Sequence, residues 1–188
     1  DKKGGLLVYD LAGKQLQDLR IGRVNNVDVR TGFRLGQRTV DLAVASNRDH
    51  NSLHVFAIEP QSGEVRALAE VATPLKDIYG LCLFKDAGGA IHAIANDKDG
   101  SFLQYRLDGS KGEVRGELVR RFATATQPEG CVADDRSQRL FIGEEDKAVW
   151  TLDARAEAPA SLEQVIAVGG PLKADIEGLG FYQGEKRD

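Results

Sequence analysis

Short apolar runs, broken by glycines and polar pairs, make up nearly all of the chain. Val40-Asp41-Leu42-Ala43-Val44-Ala45, Ile91-His92-Ala93-Ile94-Ala95 and Leu140-Phe141-Ile142-Gly143 are strand-like, and each ends in a polar corner: Ser46-Asn47-Arg48, Asn96-Asp97-Lys98 and Glu144-Glu145-Asp146. β-Branched and aromatic residues in such runs favour strands, and helical periodicity is weak throughout. Only Ala154–Gln164 is compatible with a helical turn, and it lacks a clean apolar face.

The runs recur. Ile78-Tyr79-Gly80-Leu81, Pro128-Glu129-Gly130-Cys131 and Ile176-Glu177-Gly178-Leu179 look alike, and their glycines at 80, 130 and 178 are 50 and 48 residues apart. Asn26-Val27-Asp28-Val29-Arg30 takes the same place one step earlier, without the glycine. One aromatic marks each unit: Tyr9, Phe56, Tyr105 and Trp150. A turn follows, such as Gln61-Ser62-Gly63 or Gly109-Ser110-Lys111-Gly112, then a fourth short strand. Four strands in about 45–50 residues is the size of a propeller blade.

The predicted fold class is therefore all-β: a propeller of four-stranded antiparallel blades, read as one partial domain over 1–188. The blade pieces are 1–22, 25–70, 78–122, 128–168 and 175–188. That is about three full blades with parts of two others. Propellers close into rings of four to eight blades. The remaining blades, or a second chain, are expected to complete this one. The chain opens at Asp1 and contains no methionine, which suggests a processed chain or an excised piece.

Composition narrows the function. Twenty-five basic and 29 acidic residues give a formal charge of -4, which argues against a sequence-blind nucleic-acid binder. No apolar run is long enough for a transmembrane helix. Cys82 and Cys131 are too few for a disulfide framework, and the expectation is two buried free thiols. No CxxC or Cys/His spacing suggests structural zinc, and His50, His54 and His92 have no ligand-like spacing. Walker, GxGxxG and GxSxG motifs are absent.

In a blade, the start of the first strand and the end of the second share one rim near the axis. The unusual residues fall there: Asn25, Asn26, Asp28, Tyr79, Glu129, Asp175 and Glu177 at first-strand starts, and Asn47, Arg48, Asp97, Lys98, Glu144, Glu145 and Asp146 at second-strand ends. Singly, each reads as a solvated turn residue or ordinary packing. Gathered on one rim, the carboxylates repel, and a hard cation such as calcium relieves the repulsion. Arg48 and Lys98 beside them suit an anion, phosphate above all.

Lys2-Lys3-Gly4-Gly5-Leu6, Asn25–Arg30, Ala45–Arg48, Ile78–Gly80, Lys98–Tyr105, Gln127–Gly130, Ala133–Asp135, Gly143–Asp146 and Asp175–Leu179 together resemble the β-propeller phytases, the alkaline calcium-dependent phytases of bacteria. The resemblance runs from Lys2 to Tyr182. It implies a six-bladed propeller with Ca2+ and phosphate at one rim, and hydrolysis of phytate phosphomonoesters by metal-activated water, an activity of the 3-phytase type. It gives Lys2, Arg48 and Lys98 to phosphate and Tyr79 to phosphate or the metal's water. Glu129, Glu145, Asp175 and Glu177 fall to calcium, with Glu129 counted among the catalytic residues as well. Asn25, Asn26, Asp28 and Asn47 fall in motifs near the phosphate and calcium sites. Asn96-Asp97 stands where the family has Thr-Gly, and further acidic ligands of the family lie outside the matched residues.

The resemblance implies a secreted or periplasmic protein acting on phytate or inorganic phosphate, with no nucleic acid or membrane partner. The isolated 188-residue chain is expected to be nearly inactive without the rest of its ring. A second reading is a non-catalytic incomplete propeller that binds phytate or calcium beside a complete phytase domain. A third, a generic interaction or lactonase-type propeller, requires the rim residues to be dispersed.

Overall fold

The computed structural model describes residues 1–182. Among these the secondary structure is strand throughout, with no helix. β1 (Gly5–Tyr9) and β2 (Gln15–Arg20) form a two-stranded sheet. β3 (Val24–Leu35), β4 (Arg38–Asn47), β5 (Ser52–Ile58) and β6 (Val65–Ala72) form the first four-stranded sheet in chain order. β7 (Ile78–Lys85), β8 (Ile91–Asp97), β9 (Ser101–Asp108) and β10 (Arg115–Ala123) form the second. β11 (Pro128–Asp134), β12 (Arg139–Glu144), β13 (Ala148–Asp153) and β14 (Glu163–Ala167) form the third. Each is an antiparallel meander. β3 lies beside β7, and β7 beside β11, so first strands adjoin first strands. This is the arrangement of successive blades in a β-propeller.

The apolar runs are continuous because the inner strands are buried on both faces. Side chains alternate between the faces of a strand. On β4, Leu42 and Val44 point into the core shared with the second blade, while Ala43 and Ala45 join Leu6, Val24 and Phe56 towards β1 and β2. On β7, Leu81 and Leu83 face back to the first blade, whereas Cys82 and Phe84 face forward to the third with Cys131, Leu140, Ile142 and Leu152. The cores therefore lie between blades. Truncating Phe84, wholly buried here, to alanine would cost about 3–5 kcal/mol.

The expectation of two free thiols is overturned. Cys82 and Cys131 form a disulfide across the gap between the second and third blades, with Cα atoms 5.7 Å apart. Equivalent positions in two blades point the same way and cannot meet. These cysteines are one position out of step in the repeat, because Leu81, not Cys82, matches Cys131 in register with its second strand. The offset turns one thiol forward and the other back.

Two smaller expectations also change. Ala154–Gln164 contains turns and the start of β14 rather than a helical turn. Residues 175–182 carry no strand, since their backbone has no ladder partner among the described residues. Positions 183–188 of the last expected blade piece lie outside the described residues.

Polar ties reinforce the first strands. Arg30 donates to the Leu83 carbonyl at 2.6 Å, pairs with Asp135 at 2.8 Å and pairs with Asp28 at 3.1 Å. Asp28 in turn accepts from the Leu83 amide at 2.8 Å, and Asp135 from the Lys85 amide at 3.0 Å. One guanidinium thus joins three blades.

Candidate functional site

Strand register shows which rim residues correspond. Val24 pairs with Asn47, Ile78 with Asp97 and Pro128 with Glu144. The next residue along each second strand is therefore Arg48, Lys98 or Glu145. Their amides make the same bond in all three blades, to the carbonyls of Arg23 (2.8 Å), Asp77 (3.4 Å) and Gln127 (3.0 Å). The next residue along each first strand is Asn25, Tyr79 or Glu129. Both series run from cationic or neutral residues in the earlier blades to carboxylates in the third, so the rim changes sign around the axis.

The third blade holds the negative half. The Glu129 side chain is 7% exposed, with Lys2 Nζ at 3.8 Å and Asn25 Nδ2 at 3.3 Å from its Oε1. The close approach of Glu129 to Glu177, the repulsion between them, burial and nearby Asp175 together raise the Glu177 pKa. Burial raises Glu145, with Asp175 and Glu129 adding repulsion, although Gln127 donates to Glu145 at 2.7 Å. Ile176 is buried, and its amide donates to the Glu145 carbonyl at 3.1 Å, which brings its neighbours Asp175 and Glu177 to the cluster.

A hard cation fits these donors. All are oxygens from separate segments, as calcium prefers. Repulsion from Glu129 and Asp175 adds to the raised pKa values of Glu145 and Glu177. Asn25 Oδ1 is buried with no hydrogen-bond partner. Such an orphaned acceptor is costly unless something positive meets it.

The earlier blades hold the positive half. Arg48 and Lys98 flank the Tyr79 ring, at 5.5 and 4.9 Å from its centroid. Both also reach Asp77, at 3.3 and 3.5 Å. Arg48 Nε is buried and unpartnered. Burial pushes the Tyr79 phenol up to about 12, helped by Glu129, Glu145 and Glu177, so it stays protonated.

Buried side chains fix the spacing. Ser46 accepts from the Asn26 amide and donates to the Tyr79 carbonyl at 2.9 Å. One blade on, Asn96 accepts from the Gly80 amide at 2.7 Å and donates to the Glu129 carbonyl at 3.1 Å. This ties the segment before Lys98 to the backbone of the central carboxylate. Glycine is required at 80 and 130: a Cβ would come within 1.9 Å of the Glu129 carbonyl oxygen or 2.1 Å of the Glu177 one.

The rim thus brings together Lys2, Asn25, Arg48, Tyr79, Lys98, Glu129, Glu145, Asp175 and Glu177. Asn26 stays beside it, its side-chain oxygen accepting from Asn25 at 2.7 Å. The Asn47 side chain donates to the Ile21 carbonyl and accepts from the Asp49 and His50 amides, holding the turn that follows β4. Asp28 pairs with Arg30 and accepts from the Leu83 amide. Asp97 and Glu144, the counterparts of Asn47 in the second and third blades, likewise hold turns. Asp97 accepts from the Lys76 and Asp77 amides, and Glu144 from Thr126 and the Trp150 indole. Sequence reasoning missed Asp77 and Gln127. Their signal was positional, since each lies two residues before a rim residue of the first strand.

The phytase family model matches residues 1–188. A 3-phytase of Bacillus subtilis (strain 168) is 42% identical over 192 residues, which cover 97% of this chain and 50% of the relative. The chain thus spans half the length of that curated relative. Among solved structures, a functionally unknown protein from Desulfotomaculum acetoxidans DSM 771 superposes with a TM-score of 0.62 at 13% identity. That match covers 90% of this chain and 50% of the other, and it supports the fold alone.

Proposed function

The chain belongs to the phytase family, and on that premise we propose that its rim is a calcium-dependent site for hydrolysing phosphomonoesters of phytate. The carrying observation is the change of sign around one mouth: Arg48 and Lys98 on Tyr79, with Glu129, Glu145 and Glu177 in the next segments. Glu129, Glu145, Asp175, Glu177 and Asn25 Oδ1 would hold calcium, which when bound supplies Lewis acidity and positive charge against a phosphoryl group. Arg48 and Lys98 grip a phosphate and give up Asp77 to do so. Lys2 adds a third cation beside Glu129. Tyr79, protonated through neutral pH, donates a hydrogen bond into the mouth.

The proposal extends to further blades, or a second chain, that close the ring and raise turnover above that of the 188 residues alone. The Cys82–Cys131 disulfide supports a secreted or periplasmic setting, because such bonds persist in oxidising compartments.

Calorimetry with Ca2+, followed by phosphate release from phytate with and without chelator, tests the reading. Turnover abolished by chelation is expected once the ring is complete. Calcium and phytate binding without turnover in the completed ring would favour a non-catalytic binding module. Neither binding nor turnover would sink both.

A further inference from the structure

Away from the mouth-facing carboxylates, the corner between β4 and β5 gathers two imidazoles and a carboxylate. His54 stands opposite Glu70 in the β5–β6 register. His54 Nε2 lies 3.2 Å, and His50 Nδ1 2.9 Å, from Glu70 Oε1. The three candidate donor atoms all lie within 4.8 Å of one another. Zinc bonds to nitrogen and oxygen are about 2.0–2.2 Å, so the edge of a tetrahedral ligand set is roughly 3.3 Å. Both measured edges are close to that length.

The surroundings hold these groups in place. Ser52 donates to Glu70 Oε1 at 2.7 Å. Asn47 accepts from the His50 amide at 3.2 Å, fixing the turn that carries the first imidazole. Its side-chain nitrogen lies 3.3 Å from His54 Nε2. Only small side-chain shifts would let a metal replace the contacts to Glu70. His50 is largely exposed, which gives an ion a way in and leaves room for water as a fourth ligand.

We propose that His50, His54 and Glu70 form a binding site for a divalent transition metal, Zn2+ by ligand type, distinct from the carboxylate site at the mouth. Imidazole and carboxylate together suit zinc, whereas calcium takes oxygen donors alone. The site would clamp the turn that begins with Arg48, two residues before His50.

The test is titration of the full chain with ZnCl2 in saturating Ca2+, followed by Co2+ with its visible absorption recorded. One zinc equivalent that calcium does not displace is expected, with tetrahedral-type cobalt bands. His50→Ala, at an exposed position that leaves folding intact, should abolish both signals, and Glu129→Gln should leave both. Ser52→Ala should weaken zinc binding roughly 10-fold, as loss of a partner supporting a ligand does. The proposal is overturned if His50→Ala binds zinc like the parent chain, or if calcium displaces all of the zinc.

Discussion

Cys82 on β7 and Cys131 on β11 are separated by 49 residues, close to one blade repeat, yet they face each other across a blade interface because they are one position out of step. Their bond closes a loop that contains nearly a whole blade. In the chain-entropy view a loop of this length is worth roughly 4 kcal/mol. Replacing both cysteines by serine should lower unfolding stability by about that amount in urea titrations. Reductant should destabilise the parent chain similarly and leave the double variant unchanged.

Glu129 is the carboxylate against which Lys2, Asn25 and Glu177 converge. Glu129→Gln keeps the shape and removes the charge. Calcium affinity measured by calorimetry should fall by more than the roughly 10–100-fold that a supporting partner of a ligand is worth. Unchanged affinity would place the ion elsewhere.

Asp77 occupies the two cations that a phosphate would need. Because the pair is partly exposed, the competition is modest. Asp77→Asn should therefore tighten inorganic phosphate binding by up to about fivefold, whereas Arg48→Ala should weaken it and, in an active assembly, act mainly on KM. A weaker Asp77→Asn would show that Asp77 positions Arg48 and Lys98 instead of blocking them.

His92 is 4% exposed and lies under Phe84, with Asp86 at 3.3 Å and Gln104 at 3.4 Å. Burial lowers its pKa below the usual 6.5, with Asp86 opposing. Below pH 6.5 the unfolded chain takes a proton that the folded chain refuses. Stability should therefore fall as pH drops from 6.5 towards the lowered folded pKa, by at most about 1.4 kcal/mol per pH unit. His92→Gln should remove this part of the slope when denaturation midpoints are compared at neutral and mildly acid pH. Identical slopes would contradict it.

The blade repeat was legible because strands such as β4, β7 and β8 are buried on both faces, so their apolar runs survive in the sequence, and Gly80 and Gly130 mark the same strand position twice. The mouth was legible for a related reason: rim residues keep a fixed offset from those runs. What was hidden depended on orientation. The disulfide required knowing that Cys82 and Cys131 point to opposite faces. The meeting of His50 and His54 with Glu70 required the β5–β6 register, since no local spacing joins residue 54 to residue 70. The turn bonds of Asn47 were hidden because a buried amide that ties a turn and one that faces an ion look the same in a sequence. Residues 175–182 read as a strand from their composition, but a strand also needs a neighbour to bond with.

The two glycines at 80 and 130 set the bore of the mouth. With only hydrogen on each α-carbon, the following segment slides in until its carbonyl nearly touches the chain, carrying Glu129 and then Glu177 inward with it. The gap between opposing acids is therefore gauged by missing atoms, at positions that never meet an ion. One methyl group added there would widen the ring of oxygens while leaving each of them in the sequence.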